Sequence, residues 1–428
     1  MLEHPNAFGR ELRRRRLETG LTLDRLAGLV HYSKAQLSKV ERGISRPSRE
    51  LVRLCDAVLD AGGALSAQAG TGSKPAGVHE VSDGEEVWLM GLSANGQSWF
   101  RPISRREAVA IGAASIAALG IGRPEIAFTA ENASLIDTFG SLFDQYRMLG
   151  QSVDSGLLVP SLIAQTNTIR ELSTSVRSQT RDSLLRLCSR YAEYIGWLVQ
   201  EGGDDHAALW WTHQAVMLAD SGDDHDLSAY ALIRRALITL YRGDAEQTIR
   251  LARRAQVATL PPRIRGLAAQ REAQGHALAG DHDACMRGLD RARKLLAADA
   301  QEPGSRVLGT SNLASPAEMI TGWCLYDLGR PLAAAEVMDV QVAAIPRHAV
   351  RTRVRYGARR ALAYASAGEV EHACRLTRDL LDDVITIGSA TVALDMRRLS
   401  RTLSRHPRNA AVRELAPDLG AALRPTDS

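Results

Sequence analysis

The 428-residue sequence predicts an all-α protein, with a small N-terminal helical bundle followed by a long α-solenoid. Three observations point there. Hydrophobic residues make up 45% of the chain but aromatics only 5%, so Ala- and Leu-rich helices suit it better than sheets. Residues 20–51 hold two short helical patterns about three residues apart. From about Ala130 onward helical periodicity recurs, broken by short Gly-Asp turns spaced 37 to 49 residues apart.

The first helical pattern puts Leu23, Leu26, Ala27 and Val30 on one face, with Thr22 placed to cap it. The second puts Leu37 and Val40 on one face. Ser33 with Gln36 forms a capping box, so this helix starts at Lys34. Ala27 is small where the two helices would cross. Lys34, Ala35, Ser38, Lys39 and Arg42 then point outward together. That is the layout of a helix-turn-helix whose second helix enters a DNA major groove.

Three runs carry a family resemblance: Leu26-Ala27, Ser33 to Gly43 (Ser-Lys-Ala-Gln-Leu-Ser-Lys-Val-Glu-Arg-Gly) and Arg46-Pro47-Ser48. They resemble the phage-repressor/Cro type of helix-turn-helix, the XRE family, over residues 6–59. The resemblance implies that Lys34, Ala35, Ser38 and Lys39 face base edges. It also implies that Arg16, late in the first helix, pairs with Glu41. His31 stands where the family usually has Gly in the turn; His tolerates positive φ better than most residues.

Charge agrees with a DNA partner. Residues 1–60 hold 12 Lys and Arg against 8 Asp and Glu, an excess equal to the whole chain's +4, so the remainder is balanced. One helix cannot aim Arg13, Arg14, Arg15 and Arg16 at one surface. Arg10, Arg42 and Arg46 are the better phosphate contacts by position, and Arg13 to Arg15 can equally be a solvated face.

The middle of the chain reads as connection. Gly62-Gly63 and Gly70 to Gly77 have the composition of a flexible linker, and Trp88 and Leu89 have the character to dock locally. Ser104-Arg105-Arg106 precedes 15 uncharged residues, Ala108–Gly122, which superficially suggests export. The stretch follows a complete DNA-binding pattern and lacks bulky apolar residues after the arginines. It is also short of the ~18 residues that span a bilayer. A buried Ala-rich helix capped by Ser104 is the expectation. The five cysteines form no Cys-x-x-Cys pair, and no signal peptide opens the chain, so a reducing cytoplasm is expected.

In the C-terminal region Arg181–Val199 is amphipathic, with Leu184, Leu185, Cys188, Tyr191, Ala192 and Ile195 on one face. A unit then repeats: a Gly ends one helix and a small residue follows five positions on. Gly203 leads to Ala208, Gly243 to Thr248, Gly280 to Cys285, Gly329 to Ala334 and Gly368 to Ala373. In the first three, Ala215, Ala255 and Ala292 follow twelve after the Gly. Small residues where paired helices cross mark an α-solenoid. Tyr241 to Asp244 with Ala255, and Leu278 to Asp281 with Ala292, resemble divergent tetratricopeptide repeats, though the period is longer than usual. The order of the two regions resembles peptide-responsive regulators of Gram-positive bacteria, of actinobacterial type.

No nucleotide-binding loop, nucleophile elbow or His-Glu-x-x-His motif occurs, so no catalytic residue, cofactor or metal is expected. The Asp-His turns at 204–206, 223–226 and 281–283 are expected to cap helices rather than bind metal. The expected domains are 1–65, DNA-binding; 66–125, a linker with the Ala-rich helix; and 126–428, the repeats. The expected function is a cytoplasmic, sequence-specific transcriptional regulator. It would be a homodimer on double-stranded DNA, away from membranes, controlled by a peptide or small-molecule effector. The alternative is a scaffold whose repeats recruit a partner while the helix-turn-helix only localises it.

Overall fold

Hydroxyl caps open three of the N-terminal helices. The computed structural model describes residues 7–69, 86–92, 98–104, 132–176, 178–299 and 308–424. The chain opens with α1 (Ala7–Glu18), α2 (Leu23–Leu29), α3 (Lys34–Glu41), α4 (Arg49–Val58) and α5 (Ala64–Ala69). Thr22 Oγ1 accepts from the Arg25 amide at 3.1 Å, Ser33 Oγ from Gln36 at 3.2 Å and Ser48 Oγ from Leu51 at 3.1 Å. Each satisfies a donor that the first helical turn leaves without a partner. Leu12, Leu26, Val30, Leu37, Leu51, Cys55 and Leu65 are fully buried at the centre of the five helices. Each such aliphatic side chain contributes about 1.5–3 kcal/mol of burial.

From Gly62 to Ala69 the chain is a turn and a helix rather than a flexible linker. Gly62 and Gly63 make a turn with φ of +56° and +88°. The Asp56 carboxylate accepts from the Gly63 amide at 2.7 Å and the Leu65 amide at 2.9 Å. That anchors α5, and Leu65 seals the bundle. A second difference follows at β1 (Glu86–Leu92) and β2 (Ser98–Ser104), an antiparallel hairpin with Glu86 opposite Ser104. Val87, Trp88, Trp99, Phe100 and Ile103 supply its β-branched and aromatic content. Ser104 therefore ends a strand. The Ala-rich stretch 108–122 and the glycines of 70–77 lie outside the described residues.

The chain divides into two units, residues 75–228 and residues 1–74 with 229–428. The expected repeat domain 126–428 is thus split. The first unit holds the hairpin with α6 (Asn132–Leu149), α7 (Ser155–Thr174), α8 (Ser178–Glu201) and α9 (Asp205–Ser221). All six expected face residues of α8 are buried. Gly196 lets α8 approach α9: a Cβ there would lie 3.2 Å from Trp211 Cβ and 3.3 Å from the Ala208 carbonyl oxygen.

The division falls in the first turn of α10 (His225–Arg242), which pairs with α11 (Ala245–Arg254). Four more hairpins follow: α12 (Pro262–Ala279) with α13 (His282–Asp299), α14 (Pro316–Asp327) with α15 (Pro331–Ala343), α16 (Val350–Ser366) with α17 (Val370–Arg378), and, after the short α18 (Leu381–Ile387), α19 (Ala390–Leu403) with α20 (Ala410–Ala422). Gly203, Gly243, Gly280, Gly329 and Gly368 all have φ between +74° and +97°. The small residue five positions after each is fully buried against its partner helix. Asp204, Asp224, Asp244 and Asp281 each accept from a backbone amide three residues on. They act as caps, and no group of metal-ligating side chains occurs among the described residues. None of the described helices is long and apolar enough to cross a membrane.

Candidate nucleic-acid interface

α3 turns Leu37 and Val40 inward, and the residues between them face out. Lys34, Ala35, Gln36 and Lys39 are exposed and Ser38 is half-buried. The face therefore carries two ammonium groups, a methyl, an amide and a hydroxyl, the groups that read major-groove edges. Lys34 Nζ lies 3.7 Å from Asp24 on α2, and both are open to solvent. Gln36 joins this face although the sequence places it only in the capping box with Ser33, since the cap uses its backbone amide and leaves its side chain exposed.

The helix is braced from behind. Arg16 Nε donates to Glu41 Oε1 at 2.6 Å and Arg16 Nη2 to Glu41 Oε2 at 3.1 Å. A further bond from Arg16 Nη1 reaches the Leu21 carbonyl at 2.9 Å. The two side chains are 10% and 9% exposed, so the pair is nearly dry. The Glu41 hydrogen bond is the main reason the Arg16 guanidinium holds its proton more tightly than usual. Gly9 makes the crossing of α1 over α3 possible, since a Cβ there would meet the Glu41 carbonyl oxygen at 2.6 Å.

Arg10, Arg42 and Arg46 are all exposed. Arg42 Nε bonds the Ser38 carbonyl at 3.2 Å, which leaves its terminal nitrogens outward. The arginine run splits by role. Arg14 bonds Glu11 and Glu18, and Arg15 bonds Glu11 at 2.7 Å, so both serve a network along α1. Bonds from Arg14 and then Arg15 hold the Glu11 carboxyl down to about 2.

Other residues of the bundle clamp it to the hairpins. The Glu50 carboxylate accepts from Arg405, from Ser366 Oγ at 2.9 Å and from Tyr32 Oη at 3.2 Å. Burial disfavours the Glu50 charge, but Arg405 outweighs it and the carboxyl stays below its ordinary range. The Arg405 guanidinium also sits 4.1 Å from the centre of the Tyr32 ring. Arg53 Nη1 donates to Asp327 Oδ1 at 3.0 Å, and that aspartate also accepts from Trp323 Nε1 at 3.0 Å.

Three repeat glycines sit at these contacts. A Cβ on Gly329 would lie 2.3 Å from the Arg53 carbonyl oxygen, one on Gly368 2.8 Å from the His31 ring, and one on Gly280 2.9 Å from Gly63 Cα. The glycines that turn each hairpin also let the bundle backbone come close. His31 itself has φ of +53°, and its ring lies over Gly368. These clamping residues carry no signal in the sequence, because their partners lie 274 to 355 residues away.

Residues 7–69 match the family model of a helix-turn-helix domain. No curated protein and no solved structure matches the chain. The match covers α1 to α5 and nothing beyond, and it identifies the N-terminal bundle as a helix-turn-helix domain, a DNA-binding module.

Proposed function

We propose that this chain is a sequence-specific transcriptional regulator of the XRE type, reading the major groove with α3. The observation that carries the reading is the exposure of α3 in the clamped bundle. The clamp uses α4 and the His31 turn, while Lys34, Ala35, Ser38 and Lys39 remain exposed or half-buried. Lys39 would donate to guanine N7 and O6, and Ala35 would touch a thymine methyl. Arg10, Arg42 and Arg46 would hold phosphates.

The paired helices of residues 225–422 would act as tetratricopeptide-like repeats that position the reading head and take an effector. A homodimer would place two heads on half-sites ~34 Å apart, as regulators of this type require. Because α5 is anchored, this spacing would be set through the clamp rather than through a loose tether.

The test is enrichment of duplexes from a random DNA pool by the full chain, then footprinting of the DNA upstream of its own gene. A shared motif with two half-sites supports the proposal. Salt-sensitive binding with no motif enriched would reduce the chain to a non-specific DNA binder.

A further inference from the structure

A cluster of hydrogen-bond donors lacks acceptors on the first helices of the hairpins. It centres on α12. Gln270 and Gln274 are buried, and the Nε2 of each has no hydrogen-bond partner. Arg271 lies between them in sequence. One terminal nitrogen, Nη1, donates to Gln274 Oε1 at 2.6 Å, which fixes that amide with its nitrogen turned away from Arg271. The Arg271 Nε is shielded from solvent and has no partner. Three donors thus sit at positions i, i+1 and i+4 of one helix with no acceptor among the described residues.

The neighbours add positive charge. Arg355 on α16 donates to Tyr241 Oη on α10, and its guanidinium lies 5.6 Å from the Tyr241 ring and 5.9 Å from the Trp323 ring. Arg359 meets Asp395 at 2.9 Å, Arg398 meets Asp395 at 3.3 Å and Arg263 meets Asp299 at 3.3 Å. The two nearby aspartates are already engaged, Asp327 by Arg53 and Trp323, Asp395 by Arg359 and Arg398. Arg271 has no carboxylate partner among the described residues. Burial, and then the like charge of Arg355, push its guanidinium down to about 10. A half-buried guanidinium whose shielded Nε has no acceptor is costly unless an anion completes it. Arg271, Arg355 and Tyr241 are each only half-buried, so the edge of the cluster meets solvent.

We propose that Arg271, Gln270, Gln274 and Arg355, beside Tyr241, bind the anionic group of an effector, a carboxylate or a phosphate. Planar guanidinium forks suit both anions, and the two amides supply neutral donors beside them. The site also adjoins the clamp, since Trp323 touches Arg355 on one side and bonds Asp327, the partner of Arg53, on the other. The proposal rests on the reading of the repeats as effector-taking, and its test contains no DNA. Failure here leaves α3 untouched, and failure of DNA recognition leaves this site untouched.

The test is thermal unfolding of the full chain in sodium phosphate and, separately, sodium acetate, with chloride holding ionic strength constant. A bound anion raises Tm saturably. The expected result is saturation with at least one anion. Phosphate alone would indicate a phosphorylated ligand and acetate alone a carboxylate. Arg271→Gln should weaken the anion at least about tenfold, the loss of one charge-assisted hydrogen bond, whereas Arg287→Gln, exposed on α13, should leave it unchanged. If Arg271→Gln does not fold, Gln270→Leu serves instead and must also weaken the anion. No saturable rise with either anion, or an equal rise in wild type and the folded variant, overturns the proposal.

Discussion

The Glu50 carboxylate of α4 accepts a hydrogen bond from Arg405, 355 residues further along the chain. Around this pair Tyr32, Ser366 and the Arg405–Tyr32 ring contact close a small polar knot. With Arg53–Asp327, it joins the helix-turn-helix bundle to the hairpins of α14, α16 and α19. Where α3 points is therefore decided by α4 and by the hairpin turns.

Replacing Arg405 with Ala should strand the Glu50 charge. A charge-assisted bond contributes about 1.5–3 kcal/mol, and an uncompensated half-buried carboxylate adds to the loss. Limited proteolysis after α5 should then be faster than in wild type, while circular dichroism stays helical. An unchanged cleavage rate would mean that the knot does not hold the head.

The knot should also be acid-sensitive. Arg405 holds the Glu50 carboxyl below its ordinary value in the folded chain. Its contribution is therefore full above the unfolded value of ~4.3 and lost as pH falls through the lower folded value. The stability difference between wild type and Glu50→Gln should be constant from pH 8 to 6 and should shrink at acid pH. Denaturant melts at several pH values measure it, and a difference that grows toward acid would oppose the assignment.

Two glycines separate backbone strain from close approach. Gly20 has φ of +68° and nothing within 4 Å of the place a Cβ would take, whereas Gly329 has φ of +77° and faces the Arg53 carbonyl oxygen at 2.3 Å. Gly20→Ala should lose about 1–2 kcal/mol, the cost of left-handed backbone alone. Gly329→Ala should lose more and should accelerate cleavage after α5, because the clash pushes the head away. Equal losses would show that the approach at Gly329 relaxes freely.

Glu41→Ala should remove the brace behind α3 without removing a DNA contact. Both partners are about nine-tenths buried, so stranding Arg16 costs ~3 kcal/mol or more. The melting of the full chain should show an earlier loss of the head. No change in unfolding would refute the brace.

What the sequence yields depends on range. Thr22, Ser33, Gly243 and Asp244 act within five residues of themselves, and each is legible as a cap or turn. The face of α8 is legible through its 3.6-residue period. Gly62-Gly63 mislead, because the same glycines serve a loose linker or a tight turn, and only the carboxylate of Asp56 decides between them. The hairpin of β1 and β2 is hidden because the turn-forming residues that flank it outweigh the aromatic and branched content of residues 87–103. Glu50, Arg53, Asp327 and Arg405 look like ordinary surface charges until the fold brings them together. At the interface, α3 and its outward residues are legible, and the surface that aims them is not.

The lysine of α3 tests the reading chemistry. Lys39→Ala should cost about 1–3 kcal/mol on the best duplex and blur preference at one base pair. Arg42→Ala should weaken all sequences alike and lower the salt slope by about one. A uniform loss for Lys39→Ala would make it a phosphate contact.

The central claim is that the head reads DNA while still clamped to the hairpins. Hydrogen exchange of the full chain, with and without the duplex it enriches from a random pool, tests this directly. The account predicts slower exchange on DNA across residues 34–46, and no change in α4 or in the turns at Gly280, Gly329 and Gly368. Faster exchange at α4 and those turns on adding DNA would contradict it, since the head would then have to leave the clamp in order to bind.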